Sequence, residues 1–287
     1  MEPTLLGSPA GPNEITPKIA AAVVPQEMSA YCPSCAAAAS RSAQQSVQSQ
    51  YVYAIGTIEP RFPRVSVEKE LAQVIGRAET ANLTDRQALR LVLEARQNRY
   101  LVRQICWIMT IEGLETYIVV PRDPMDYDAL IESLRASPTP MDLDVLIGVR
   151  GPIAGPDACN GLMLPIVFFD TLYSFDRDSF INAIPRPANT ADGEFAPAAT
   201  DLFDRIIQLT DNAGASDQDR ALNYLAVRYP AIYEAAALAL ADNSSLSAVR
   251  VHTSTLSGVR RIVEVIFSLY QQTHRRDRKA VCSCRRL

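Results

Sequence analysis

The sequence predicts an α+β protein, a mixed sheet with packed helices, whose termini are tied by a four-cysteine zinc site. Three observations lead there. Short β-branched and aromatic runs read as strands, and longer stretches with apolar residues three and four apart read as helices. The two kinds mix without a regular βαβ alternation, which argues for α+β. Of six cysteines, Cys32 and Cys35 form a CxxC near one end, and Cys282 and Cys284 form a CxC near the other.

The elements follow in order. Residues 1–50 read as a partly irregular segment carrying the CxxC, and residues 51–287 as a single α+β domain carrying the CxC. Tyr51 to Ile58 is a strand, ended by Pro60 and Pro63. Val67, Leu71, Val74 and Ile75 line one face of a helix over 65–79. Thr84 and Gln87 form a capping box for a second helix, which carries Leu89, Val92 and Leu93 and runs to about Asn98. Residues 100–111 and 114–120 flank Glu112-Gly113 as two strands of a hairpin. A helix is expected over 126–135, a buried strand over 143–149 and another over 162–169. A short helix covers 174–184, and the Pro/Ala/Gly-rich stretch 185–198 reads as a hinge loop. Helical patterns cover 201–212, 217–229 and 230–241, and strands cover 249–255 and 261–270.

Composition bounds the function. A chain of 287 residues that is 48% hydrophobic and 21% charged can bury a sizeable core. Net charge is −4, which does not point to nucleic acid. Residues 270–287 hold six basic residues against Asp277, so the remainder carries −9. No apolar run approaches the ~20 residues that span a bilayer, and the opening residues do not read as a signal peptide. The expectation is a cytoplasmic protein without a membrane partner.

In that compartment paired thiols more often bind metal than form structural disulfides. Zinc takes four thiolates tetrahedrally, and a closed shell of Cys32, Cys35, Cys282 and Cys284 would be structural, with no open position for water or substrate. The alternatives are a redox pair at Cys32 and Cys35, or unligated thiols. Cys106 reads as a buried structural thiol.

No catalytic set stands out. His252 falls in a strand and His274 in the basic tail, and neither neighbours a nucleophile signature. No phosphate-binding glycine motif is present. Asp142/Asp144 and Asp176/Asp178 read as solvated turn acids. Tyr51, Tyr53, Tyr100, Trp107 and Tyr117 read as core and sheet-face aromatics.

Several stretches together resemble a known family: YVYAIGTIEPRFPRVSVEKELAQ (51–73), LTDRQALRLVLEARQNRYLVRQICWIMTIEGLETYIVVPRDP (83–124), DVLIGVRGPI (144–153), CNGLMLPIVFFDTLYSFDR (159–177) and RRIVEVIFSLY (260–270). They are similar to the C-terminal domain of the PatG and PatA proteins of cyanobactin biosynthesis, in its version apart from the protease. The resemblance implies an accessory role in maturing ribosomally synthesised, post-translationally modified peptides. It also implies a zinc-binding homodimer, with Cys32, Cys35, Cys282 and Cys284 at the metal positions. The protease activity belongs to a separate domain, whose Asp/His/Ser elements this chain lacks.

The expected function is therefore a non-catalytic scaffold that binds a precursor peptide or a modifying enzyme. One alternative is a peptide-modifying enzyme whose site is assembled from strand-end residues such as Arg122, Asp123, Asp170, Asp176 and Arg177. A second is a redox sensor using the four cysteines.

Overall fold

The computed structural model describes residues 51–285 apart from 79, 81, 187–192, 194, 242–243, 257–260 and 272–276; the side chains of 241, 245, 269, 271 and 277–285 lie outside the description. Five strands close a barrel in the order β1-β2-β3-β5-β4, with β4 pairing back onto β1. They are β1 (Tyr51–Arg61), β2 (Cys106–Ile111), β3 (Leu114–Pro121), β4 (Asp142–Ile153) and β5 (Pro165–Asp176). β3 and β5 run parallel and every other pair is antiparallel, so the barrel is mixed as expected.

The alternation of side chains along each strand divides the core in two. Val52, Ala54, Trp107, Met109, Val119, Leu146, Val167 and Phe169 point into the barrel. There they meet apolar residues of four helices, α1 (Val65–Ile75), α2 (Asp85–Glu94), α3 (Arg99–Gln104) and α4 (Tyr127–Ser133). Tyr53, Ile55 and Val145 face outward, onto a second core. This core is built by α5 (Arg177–Ala183), α6 (Phe195–Leu209), α7 (Asp217–Arg228) and α8 (Ala231–Ala241). Beyond α7 lies an antiparallel sheet of β6 (Ser244–Thr253), β7 (Ile262–Gln271) and β8 (Asp277–Arg285), which contributes Val263, Val265 and Phe267.

Local chemistry fixed several boundaries. Thr84 caps α2, and Gln87 completes the capping box. Glu112 and Gly113 both take positive φ, which closes the β2–β3 hairpin. Other expectations are corrected. β1 continues through Pro60, which stands opposite Trp107, to Arg61. Residues 99–104 are helical rather than extended, because that places Leu101 and Val102 wholly inside the barrel core. α6 begins at Phe195, inside the stretch read as a hinge loop. β8 occupies part of the tail that carried no expected element.

The fold class needs a larger correction. Among the described residues, no group of three or more His, Cys, Asp or Glu could hold a metal ion, so the described fold is α+β without the four-cysteine tie. Cys32 and Cys35 lie outside the described residues. Cys282 and Cys284 fall on β8, in register with Val265 and Val263. An extended strand holds such alternate backbone positions about 7 Å apart, where a chelating turn draws them together. Cys106 is not a lone thiol either. It is joined to Cys159 in a disulfide that closes a 53-residue separation, with the two Cα atoms 6.0 Å apart. The bond seats the β4–β5 connection on the outer face of β2 and β3, over Ile108 and Ile118.

Candidate functional site

Asp176 ends β5 and caps α5, accepting from the Ser179 N–H at 2.9 Å. That cap and the bond from the Arg177 N–H to the Met141 carbonyl (2.9 Å) aim Arg177 into a cleft between α5 and α6. The cleft has a volume of about 530 Å³. Its lining sets one cation, Arg177, against three carboxylates, Asp178, Asp201 and Asp204. The Arg177 guanidinium spans Asp178 and Asp204, both at 3.1 Å. Arg205 holds Asp201 at 2.9 Å and donates to the Leu246 carbonyl, tying α6 to β6.

Beneath α5 and α6 lies an aromatic cluster, with Phe180 packed on Phe175, Phe203 and Tyr233. Burial, and secondarily the charge of Asp204, push the Tyr233 phenol far above its ordinary pKa. That hydroxyl stays protonated and donates to the Ala226 carbonyl. Among the described residues, the only hydroxyl in the cleft lining is that of Thr200. A carboxylate-rich cleft over an apolar floor suits the binding of a cationic group.

The strand-end residues do not converge. Arg122 pairs with Asp170 at 2.8 Å, and Tyr51 donates to the same carboxylate at 3.3 Å. Asp123 instead caps the turn Pro124–Asp126 by accepting from the Met125 N–H. Arg177 lines the cleft, and Asp176 caps the helix beside it. His252 stands across from Glu264 on the three-stranded sheet at 2.8 Å, and His274 lies outside the described residues. Of the aromatics, Tyr53, Trp107 and Tyr117 are buried, while Tyr51 and Tyr100 are exposed.

Asp142 and Asp144 are not solvated turn acids. Both are buried, and Arg135 reaches them at 3.2 and 3.3 Å. Asp144 also accepts from the Ile58 N–H at 2.7 Å and from Ser174. Burial raises its pKa, against the lowering pull of Ser174, Ile58 and Arg135. Arg135 further donates to the Leu143 and Phe175 carbonyls, so the group locks α4 to β4 and β5. Asp201 and Asp204 were missed as site residues. An i, i+3 acidic pair on a helix gives no signal in the sequence that distinguishes a cleft from a solvated face.

No curated protein matches the chain. A solved structure titled "PatG Domain of Unknown Function" matches it with a TM-score of 0.64, at 17% identity, over 83% of this chain and 99% of that one. At that identity the match speaks to the fold. The family model of the PatG domain matches residues 51–253. This chain belongs to the PatG domain family.

Proposed function

We propose that the chain is a non-catalytic accessory module in the maturation of ribosomally synthesised peptides of the cyanobactin kind. It holds a precursor peptide or a modifying enzyme by surface contacts. The observation that carries this reading is membership of the PatG domain family over residues 51–253. The cleft supports it, because its carboxylates are engaged by Arg177 and Arg205 rather than by a nucleophile or a base. The module works as a homodimer. In support, α8 carries one charged residue, Glu234, and leaves Leu238 and Leu240 exposed, apolar surface of the kind a second subunit covers.

Native mass spectrometry of the full chain with a candidate precursor peptide tests both parts. The expected result is a dimer that retains peptide of unchanged mass. Conversion of the peptide by the purified protein alone would overturn the non-catalytic reading.

A further inference from the structure

α7 carries Arg220, Tyr224 and Arg228 at four-residue intervals, so they form one stripe along the barrel. Arg220 is anchored by Asp217 and by the Tyr51 and Ala215 carbonyls. Tyr224 meets the Tyr53 ring edge-on, with centroids 6.2 Å apart. Arg228 differs: its guanidinium lies over the Tyr173 ring, 4.5 Å from the centroid. It is solvent-exposed, and among the described residues no carboxylate pairs with it.

The hydroxyls of Tyr53 and Tyr173 meet at 3.1 Å. One phenol proton serves that bond. Among the described residues no acceptor meets the other, because Arg228 can only donate. Burial raises the pKa of both phenols, so both protons are retained. Two phenols and a guanidinium thus bring together donors in excess of acceptors. That is the hydrogen-bonding complement of an anion.

The surroundings define which anion. Tyr53, Ile147 and Thr171 form one cross-strand row on the outer barrel face, and Thr171 is exposed. The adjacent row is Tyr51, Val149 and Phe168, of which Tyr51 and Phe168 are exposed. An apolar sheet surface therefore leads away from the arginine. The one acid on that surface shown against Tyr51, Asp170, is already neutralised by Arg122.

We propose that Arg228, Tyr173 and Tyr53 form a carboxylate-binding site that anchors an apolar peptide laid across Tyr51 and Phe168. The planar guanidinium and a phenol hydroxyl match the two oxygens of a carboxylate, and charge-assisted bonds of this kind are the strong ones. The carboxylate belongs to the peptide's C-terminus or to an acidic side chain. This inference deepens the reading of the chain as a peptide-binding module and rests on it.

Calorimetric titration of the full chain tests it with three N-acetylated apolar pentapeptides. One ends in a free carboxylate, one is its amide, and one is the amide carrying a glutamate. The expected result is binding of the free acid, weakened about tenfold or more by amidation. Arg228→Gln abolishes the acid-over-amide preference. Tyr173→Phe, which removes only a hydroxyl, weakens acid binding several-fold. Recovery of affinity by the glutamate peptide assigns the site to side-chain carboxylates, and its failure assigns it to chain ends. Equal affinity for acid and amide, a preference that survives Arg228→Gln, or no binding of any of the three overturns the proposal. Retention of a whole precursor peptide by the Arg228→Gln protein would overturn this site and leave the binding-module reading standing.

Discussion

Asn223, wholly buried in α7, donates its side-chain amide to the Tyr53 carbonyl of β1 at 2.7 Å, across 170 residues of chain. The same amide approaches the Asn212 carbonyl at 3.4 Å. The Tyr53 and Ile55 N–H groups are taken by the Gly214 and Asn212 carbonyls, so the α6–α7 connection lies along β1 like a short extra strand. One side chain thus holds helix, loop and barrel together. Asn223→Leu is expected to lower stability by about 2 kcal/mol, because it leaves buried carbonyls without a donor. Urea denaturation followed by far-UV circular dichroism checks this.

The same loop makes two glycines respond differently to one change. Gly214 and Gly113 both have positive φ, at +60° and +81°. A Cβ at Gly214 would overlap the Tyr53 carbonyl, whereas nothing lies within 4 Å of one at Gly113. Gly113→Ala should cost about 1 kcal/mol from backbone strain alone. Gly214→Ala should cost well over ~2 kcal/mol, or abolish folding. Equal losses in side-by-side melts would count against the described docking of the loop.

The Cys106–Cys159 bond closes a loop of 53 residues that includes β3 and β4. Chain-entropy arguments put its contribution at about 4 kcal/mol. Denaturation of the oxidised protein and of the Cys159→Ser variant should differ by a quantity of that order. Reduction should add the mass of two hydrogens and leave Cys159→Ser unchanged at these positions.

Asp144 makes the pH dependence asymmetric. Burial raises its folded-state pKa, so the folded protein holds this proton more tightly than the unfolded chain does. Its contribution is present in full below the unfolded value of about 3.9 and is lost as pH rises through the folded value. Asp176 has the opposite sign. The Ser179 N–H depresses its pKa, so its contribution is present above the unfolded value and is lost as pH falls through the folded one. Asp144→Asn should therefore remove a component of stability that declines with rising pH. Unfolding free energies measured from pH 4 to 8 would show a flatter alkaline side in the variant; an unchanged profile would sink the assignment.

What was legible in the sequence was local. The Thr84 capping box and the Glu112-Gly113 turn each depend on residues within a few positions, and both stand where the pattern put them. Asn223 was illegible because its partner lies 170 residues away, and Arg135 because its nearby acids, Asp142 and Asp144, are buried only once β4 and β5 pair around them. Tyr100 to Gln104 misled because Leu101 and Val102 suit a strand and a buried helix equally, and tertiary burial chose the helix. The CxC invited a chelating turn, yet it lies in a strand, β8, whose pairing with β7 no local pattern announces. The pairing of Arg228 with Tyr173 joins a helix end to a strand on the opposite side of the chain order, and no spacing announces it.

The dependence of β1 on α7 also sets an order of events during synthesis. Tyr53 leaves the ribosome 170 residues before Asn223. At roughly 5–20 residues per second, the barrel waits on the order of ten seconds or more for the helix that completes it. During that interval an apolar strand is present without its final partners. Nascent chains of this protein should therefore engage trigger-type holding chaperones, and contacts so distant in sequence should make refolding slow.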